Sequence, residues 1–290
     1  MKQKIALITG CSSGFGYLTA LRFSREGIFT YASARNLRSP GIKQLVKIAK
    51  EENLPLEIIK LDVTNEKSIK TAVKTIYKKK KGIDILVNNA GFGTHGPTES
   101  FTIEEVKNQF ETNVYGVLRV IKIVAPIMRS QKNGLIINLS SIAGLIPFPL
   151  FGIYSASKYS VETLTETLRF ELSQFGIKVT IVEPGSYKTN FTQNRIHPKY
   201  MESKEYKNSP YQKLISNFFT RYIKTHDKNK KILSKVANPQ EVADKIYAIT
   251  NIKKPAPRYL IGQDAMFYNF LKSFLPWQVW EFLLHKAYKY

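Results

Sequence analysis

A single cysteine, Cys11, stands among 290 residues. No disulfide can form within the chain, so a disulfide-stapled fold is excluded and a reducing, cytoplasmic setting is expected. The four histidines, His95, His197, His226 and His285, are scattered and lack metal-ligand spacing. With one cysteine beside them, no zinc site is expected. Long hydrophobic runs are missing as well. The apolar stretch after Met1–Lys4 covers only Ile5 to Ile8, short of the roughly 7–15 residues of a signal-peptide core. The best later candidate for a span, Ile142 to Tyr154, carries Pro147 and Pro149 and is shorter than the about 20 residues a membrane helix needs. No Gly-x-Ser-x-Gly elbow argues for a hydrolase.

Acidic residues are scarce: 22, against 44 lysines and arginines, for a net charge of +22. Such an excess can mark nucleic acid or an anionic membrane as a partner. The lysines are dispersed, however, and the densest run is Lys78 to Lys81. The chain is also rich in Lys, Ile, Asn, Tyr and Phe, the residues of A/T-rich codons. Codon bias and solubility are therefore the preferred reading, and no nucleic-acid partner is expected.

What is present is an ordinary globular balance, 43% hydrophobic and 23% charged, which excludes a disordered or collagen-like chain. Short apolar runs at Ile5–Ile8, Ile28–Ala32, Leu56–Ile59, Ile83–Val87, Leu135–Leu139, Ile177–Val182 and Arg258–Ile261 read as seven strands. Several are apolar on successive residues, as strands buried on both faces must be. Helical patterns at Leu18–Glu26, Ile42–Glu52, Lys67–Tyr77, Ile103–Arg129, Ser155–Phe175 and Gln240–Ile249 alternate with them. Strand–helix alternation with short links predicts an α/β fold with a parallel sheet. No repeat or linker forces a boundary, so residues 1–290 are expected to form one domain. Two segments break the pattern. Residues 187–236 are polar and aromatic and read as a lid over a substrate. Residues 265–290 read as a helical extension broken near Pro276.

Four local patterns carry chemistry. The first strand runs into Thr9-Gly10-Cys11-Ser12-Ser13-Gly14-Phe15-Gly16 and then a helix. Glycines let the backbone approach a phosphate, and the helix start supplies free N–H groups. A tight βα turn is the simpler alternative. The second strand ends Ala34-Arg35, with no carboxylate. An acidic residue there binds the ribose hydroxyl of NAD, whereas an arginine accommodates the extra phosphate of NADP, and Ser12 could add a hydroxyl to it. Asn88-Asn89-Ala90-Gly91 closes the fourth strand at the edge where ligands bind; a loop-capping amide pair is the alternative. His95 follows closely and reads as a surface-loop histidine.

The fourth pattern is Tyr154-Ser155-Ala156-Ser157-Lys158. On a helix, Tyr154 and Lys158 share a face. A free tyrosine has a pKa of about 10, so exchanging protons near neutrality needs about 4 kcal/mol. An ammonium at about 4 Å in an effective dielectric near 20 supplies about that much. A surface Tyr/Lys pair is the alternative for the motif taken alone.

Taken together, TGCSSGFG, NNAG, Asn113, the pair Ser140-Ser141, YSASK and Pro184-Gly185 occur in one order from Lys4 to about Thr189. The chain resembles the short-chain dehydrogenase/reductase family, the branch with TGxxxGxG and YxxxK. Within it, TGCSSGFG and the extended C-terminus are most similar to hydroxysteroid and retinol dehydrogenases. The resemblance implies a Rossmann-type, doubly wound parallel sheet and an oxidoreductase acting on a carbonyl or secondary alcohol. It also implies roles. Tyr154 would be the acid/base group, Lys158 would lower its pKa and bind the nicotinamide ribose, and Ser141 would hydrogen-bond the substrate oxygen. Asn113 would hold a relay water near the lysine. Gly10, Ser12, Ser13, Gly14, Phe15 and Gly16 would cradle the cofactor phosphates, with Arg35, Asp62 and Val63 at the adenosine end. Asn89, Ala90, Gly91, Pro184, Gly185 and Thr189 would line the rest, Thr189 against the carboxamide. NADP(H) is expected over NAD(H), the substrate is expected to be apolar and steroid-, retinoid- or lipid-like, and a homodimer or homotetramer is implied. A dinucleotide sensor without turnover is one rival, opposed by four filled catalytic positions; a basic nucleic-acid-binding protein on the same fold is the other, opposed by the dispersed lysines. The tail is expected to pack on the pocket and core, with an anionic membrane surface as the other destination.

Overall fold

The computed structural model describes residues 3–189, 196–203, 205–226 and 237–288; the side chains of residues 205, 207, 219, 221–226, 287 and 288 are outside that description. Of the aromatic series expected in the lid, Phe191 and the side chains of Phe219 and Tyr222 fall outside it, as do Lys289 and Tyr290 of the tail.

Seven strands form one sheet: β1 (Ile5–Ile8), β2 (Phe29–Ala34), β3 (Leu56–Lys60), β4 (Ile85–Asn88), β5 (Gly134–Leu139), β6 (Ile177–Pro184) and β7 (Arg258–Ile261). Their spatial order is β3-β2-β1-β4-β5-β6-β7, and every pairing is parallel. Winding therefore reverses between β1 and β4. In doubly wound sheets that switch point, at the carboxyl ends of the strands, opens a ligand crevice.

The unbroken apolar runs have a simple cause. Successive residues on a strand face opposite sides, and both sides are covered. On β1, Ala6 and Ile8 enter one apolar layer and Ile5 and Leu7 the other. The first layer packs under α1 (Gly14–Arg25), α2 (Pro40–Glu51) and α8 (Gln240–Ile249). The second packs under α3 (Glu66–Lys80), α5 (Gly116–Gln131) and α6 (Gly152–Ser173).

Two of the departures from the expected boundaries have a visible cause. Ile83 was expected to open the fourth strand, but its N–H donates to Gln131 Oε1 at 2.9 Å and its carbonyl accepts from Gln131 Nε2 at 3.0 Å. A side-chain amide takes the place of the ladder, so pairing starts two residues later. The helix expected over Ile103–Arg129 is split into α4 (Ile103–Phe110), a π-turn over Glu111–Tyr115, and α5. Such turns insert an extra residue and often mark functional positions; Asn113 sits in this one.

After a short helix α7 (Gln212–His226), the chain ends in α9 (Gln263–Phe274) and α10 (Trp277–Tyr288). Pro276 drives Leu275 into an extended conformation, φ −85° and ψ 134°, and ends α9. Ala265, Tyr268 and Leu271 of α9, and Trp280 and Leu284 of α10, pack against Ile142 and Ile146. Among the described residues no helix is long and apolar enough to cross a membrane.

Candidate active site

At the end of β1 the backbone turns through Gly10, at φ +73°, and Gly14, at φ +60°. Gly16 lies below them. A Cβ there would stand 2.3 Å from Asn89 Nδ2 and 2.5 Å from the Gly10 carbonyl oxygen. Asn89 is the reason for this tight fit, because its amide donates to the carbonyls of Thr9 at 2.8 Å and Gly10 at 2.9 Å. Thr9 Oγ1 accepts in turn from the N–H groups of Asn89 and Ala90, both at 3.0 Å. The amides of Asn-Asn-Ala-Gly thus fasten the glycine loop to the fourth strand. Asn88 is also structural, donating to Asn138 Oδ1 at 2.8 Å. Cys11 faces the core, where burial pushes its thiol up to about 12; it is not a nucleophile.

The loop delivers the N-terminus of α1 to the crevice. Ser13 occupies the capping position but makes no side-chain cap, and no acidic residue enters the first turn. The orphan N–H groups and the helix dipole there favour an anion. Thr189, arriving after β6, crosses over Gly14: a Cβ on that glycine would lie 3.7 Å from Thr189 Cβ. Ser12 is held from the other side by Gly41, where a Cβ would meet the Ser12 carbonyl oxygen at 2.0 Å. Sequence reading missed Gly41, although Ser39-Pro40-Gly41 at a helix start was the available signal.

One cavity of about 2020 Å³ runs from this loop across the sheet edge. Gly10, Ser12, Ser13, Gly14, Phe15, Arg35, Asp62, Val63, Asn89, Ala90, Gly91, Ser141, Tyr154, Lys158, Pro184, Gly185 and Thr189 all line it. Gly16 and Asn113 stand one layer behind. Arg35 is exposed at the end of β2, next to buried Ala34. Asn36 and Ser39 border the same end and were not anticipated. Asp62 Oδ1 accepts from the Thr64 N–H at 3.0 Å and its hydroxyl at 2.8 Å.

Tyr154 and Lys158 meet at the middle of the cavity, in the first turns of α6. Lys158 Nζ lies 5.8 Å from the centre of the Tyr154 ring and donates to the Leu139 carbonyl at 2.7 Å. Both side chains are buried. Burial lowers the Lys158 pKa to about 8, against the upward pull of the Glu162 carboxyl one turn on. Asn113 is fixed behind the pair: its amide donates to the Phe92 carbonyl at 3.0 Å and Ser157 Oγ at 3.2 Å, and its oxygen accepts from the Phe92 N–H at 3.1 Å.

Both candidate serines follow β5 and line the cavity, but their hydroxyls part. A Cβ on Gly144 would meet Ser140 Oγ at 2.5 Å and Glu162 Oε1 at 2.9 Å, so Ser140 turns toward Glu162. Ser141 Oγ instead accepts from the Ala143 N–H at 3.2 Å at the cavity wall. Glu162 and Glu183 were not singled out from the sequence. Both are buried behind Ser140; burial and then Glu183 push Glu162 up to about 9, and burial raises Glu183 as well. Arg258 Nη1 donates to Glu183 Oε1 at 3.1 Å.

Beyond Tyr154 the wall is aromatic, with Phe92, Phe148, Phe151, Phe218, Phe267 and Tyr268. Among the described residues of the segment read as a lid, Tyr187, Ile196 and Phe218 line the cavity. Tyr187 donates to Glu241 Oε2 at 3.1 Å and packs edge-on to Phe15 at 5.6 Å, while Tyr200 and Tyr206 pack on each other at 6.2 Å. His95 is not a surface histidine. Its N–H donates to the Ile196 carbonyl at 3.1 Å, which draws the loop inward and buries the ring 3.9 Å from that of His197.

A linkage prediction follows for Lys158. Its folded pKa, about 8, lies below the ordinary 10.5, so folding disfavours its charged form. That cost is fully present below about pH 8 and fades as pH rises toward 10.5. Relative to Lys158→Met, the wild-type chain gains up to about 3 kcal/mol of stability over that window. Urea unfolding of both proteins at pH 7.5 and pH 10 measures it, and a constant difference contradicts it.

Residues 4–199 match the family model for short chain dehydrogenases. The chain is 39% identical to an uncharacterized oxidoreductase, YusZ, of Bacillus subtilis, over 99% of both chains. It is 36% identical to a 3-ketodihydrosphingosine reductase of Bacteroides thetaiotaomicron, again over 99% of both. It is 34% identical to a bovine 17-beta-hydroxysteroid dehydrogenase type 6, over 99% of this chain and 90% of that one. A short-chain dehydrogenase structure from Streptomyces avermitilis superposes with a TM-score of 0.77 at 30% identity, covering 94% of each chain. The structure of ElxO with NADP bound does so with 0.66 at 27%, covering 85% of this chain and 91% of that one.

Proposed function

The chain belongs to the short-chain dehydrogenase family, and on that premise we propose that it reduces the carbonyl group of an apolar, lipid-sized substrate with NADPH. Membership alone makes it an oxidoreductase of alcohols and carbonyls that uses a nicotinamide dinucleotide. The observation that carries the finer reading is one cavity joining Arg35 at one end, Tyr154 and Lys158 in the middle, and an aromatic wall beyond.

The residues fit a dinucleotide. The glycine loop admits no side chain at Gly16, the α1 N-terminus is uncapped, and the cavity exceeds the roughly 300–1,000 Å³ of a single small-molecule site. Gly10 to Gly16 would hold the pyrophosphate, Asp62 and Val63 the adenine, Arg35 the 2′-phosphate, and Lys158 and Thr189 the nicotinamide half. When bound, the cofactor supplies the two-electron chemistry at the carbonyl carbon.

The chain's own residues handle the oxygen. Ser141 Oγ accepts from the Ala143 N–H, which leaves its proton to donate to the substrate carbonyl. The Tyr154 hydroxyl donates its proton to that oxygen as charge develops on it. The Lys158 ammonium stabilises the resulting phenolate across a buried, low-dielectric gap. Asn113 holds the α4–α5 turn against Ser157, one residue from Lys158, where a relay water would sit.

Arg35 beside an uncharged Ala34 supports NADP(H), as does its presence in ElxO. The aromatic wall supports an apolar substrate, as do a sphingosine-type and a steroid name among the relatives. Exposed Phe170 on α6 and Tyr115 beside α5 support pairing of two or four copies through those helices. The lone, buried Cys11 suits a cytoplasmic protein.

A series of methyl ketones of rising chain length tests the substrate reading, with NADPH consumption as readout. Each added methylene transfers about 0.8 kcal/mol into the aromatic channel. Thus kcat/KM rises about three- to fourfold per carbon until the channel is full. A flat series, or preference for a charged short ketone, overturns the reading.

A further inference from the structure

The two C-terminal helices bury one stripe and present the other to solvent. On the buried side Trp280 is 2% exposed and Ala265 fully covered, and Lys272 Nζ donates to the Leu145 carbonyl at 2.5 Å and to Tyr159 Oη at 3.2 Å. The pair is therefore fixed to the body of the protein. The outward stripe is apolar. Phe267, Phe270 and Phe274 follow one another at helical spacing on α9 with exposures of 58%, 60% and 72%, and Trp277 and Phe282 on α10 are 59% and 63% exposed. Among the described residues, six large apolar side chains more than half exposed lie in these two helices, and only Ile103 and Phe170 lie elsewhere. A soluble surface rarely gathers such residues without a use for them.

We propose that the outward face of α9 and α10 docks on an anionic phospholipid bilayer and lies in its interface. Three observations select this occupant. The side chains are phenylalanines and a tryptophan, the residues that settle at the boundary of headgroups and acyl chains. The chain carries a net charge of +22, complementary to an anionic surface and felt over roughly a Debye length. The face is also continuous with the cavity: Phe267 is exposed on it and lines the cavity, beside Tyr268. Each helix has 12 residues, too short to span, so the pair rests on the bilayer. An apolar substrate dissolved in that bilayer then reaches the cavity past Phe267 without crossing water. This last step rests on the proposed reductase activity; the docking itself does not.

Flotation of the full chain with vesicles tests the docking. One set contains phosphatidylcholine with phosphatidylglycerol, the other phosphatidylcholine alone. The wild-type protein is expected to float with the anionic vesicles and to be partly released by salt. Phe270→Ser with Phe274→Ser, both outside the cavity wall, should reduce the bound fraction at least about tenfold, as loss of two buried phenyl groups requires. Turnover of a short, water-soluble ketone with NADPH should be unchanged in the variant, while turnover of a long-chain ketone supplied in vesicles falls with the bound fraction. Wild-type protein that stays with the solvent, or a variant that floats equally well, overturns the proposal. So does sedimentation velocity in which the wild type self-associates, the variant does not, and neither floats, because a second copy then covers the face. Flotation without turnover of any ketone leaves docking standing and removes the reductase reading.

Discussion

Replacing Tyr154 by phenylalanine is expected to lower kcat by about 10²–10⁴-fold, the range for loss of a general acid, while NADPH affinity holds. The substitution is close to surgical. Tyr154 is buried, and its ring packs edge-on to Phe151 at 6.4 Å, a contact that phenylalanine keeps. What disappears is the proton at the centre of the cavity. Lys158 donates to the Leu139 carbonyl, and in the proposed mechanism its charge stabilises the phenolate rather than supplying the proton. Single-turnover rates with a good ketone, alongside a fluorescence titration of NADPH, separate chemistry from binding. Ordinary turnover by the variant contradicts the assignment of Tyr154.

The second large effect concerns the cofactor. Arg35 closes β2 at the cavity end bordered by Ser12 and Asp62. A guanidinium holds a phosphate through charge-assisted hydrogen bonds, each worth about 1.5–3 kcal/mol. Arg35→Ala should therefore cost NADPH about 10- to 10³-fold in kcat/KM and leave NADH nearly untouched. Adding Ala34→Asp places a carboxylate beside the ribose. It accepts from the 2′-hydroxyl of NADH and repels the 2′-phosphate of NADPH, so the double variant should prefer NADH. Measuring kcat/KM for both cofactors with one ketone decides it. A double variant that still prefers NADPH means the phosphate is read by other residues, with Ser12 and Arg38 next to test.

Much of this was legible in the sequence because its signals are local. The strands declare themselves where both faces are buried, as at Leu7 and Ile8, and the glycine loop and Tyr154/Lys158 are short patterns on single elements. What stayed hidden depends on partners distant in the chain. Ile83 leaves its strand because Gln131, 48 residues on, takes both of its backbone groups. The π-turn at Asn113 answers to the backbone of Phe92. His95 is buried by Ile196, and Glu162 meets Glu183 only once α6 lies on β6. Composition alone does not separate a lid aromatic that lines the cavity, as Phe218 does, from one that packs on another ring, as Tyr200 and Tyr206 do.

The central claim is that hydride moves between NADPH and a carbonyl carbon while Tyr154 supplies the proton. It is tested most directly with NADPH carrying deuterium at both C4 positions of the nicotinamide and a long-chain ketone, reading the alcohol product by mass spectrometry. The account predicts deuterium on the carbinol carbon with wild-type enzyme, formed at a rate that collapses in Tyr154→Phe. An alcohol without the label, or labelled product formed equally fast by the variant, contradicts it.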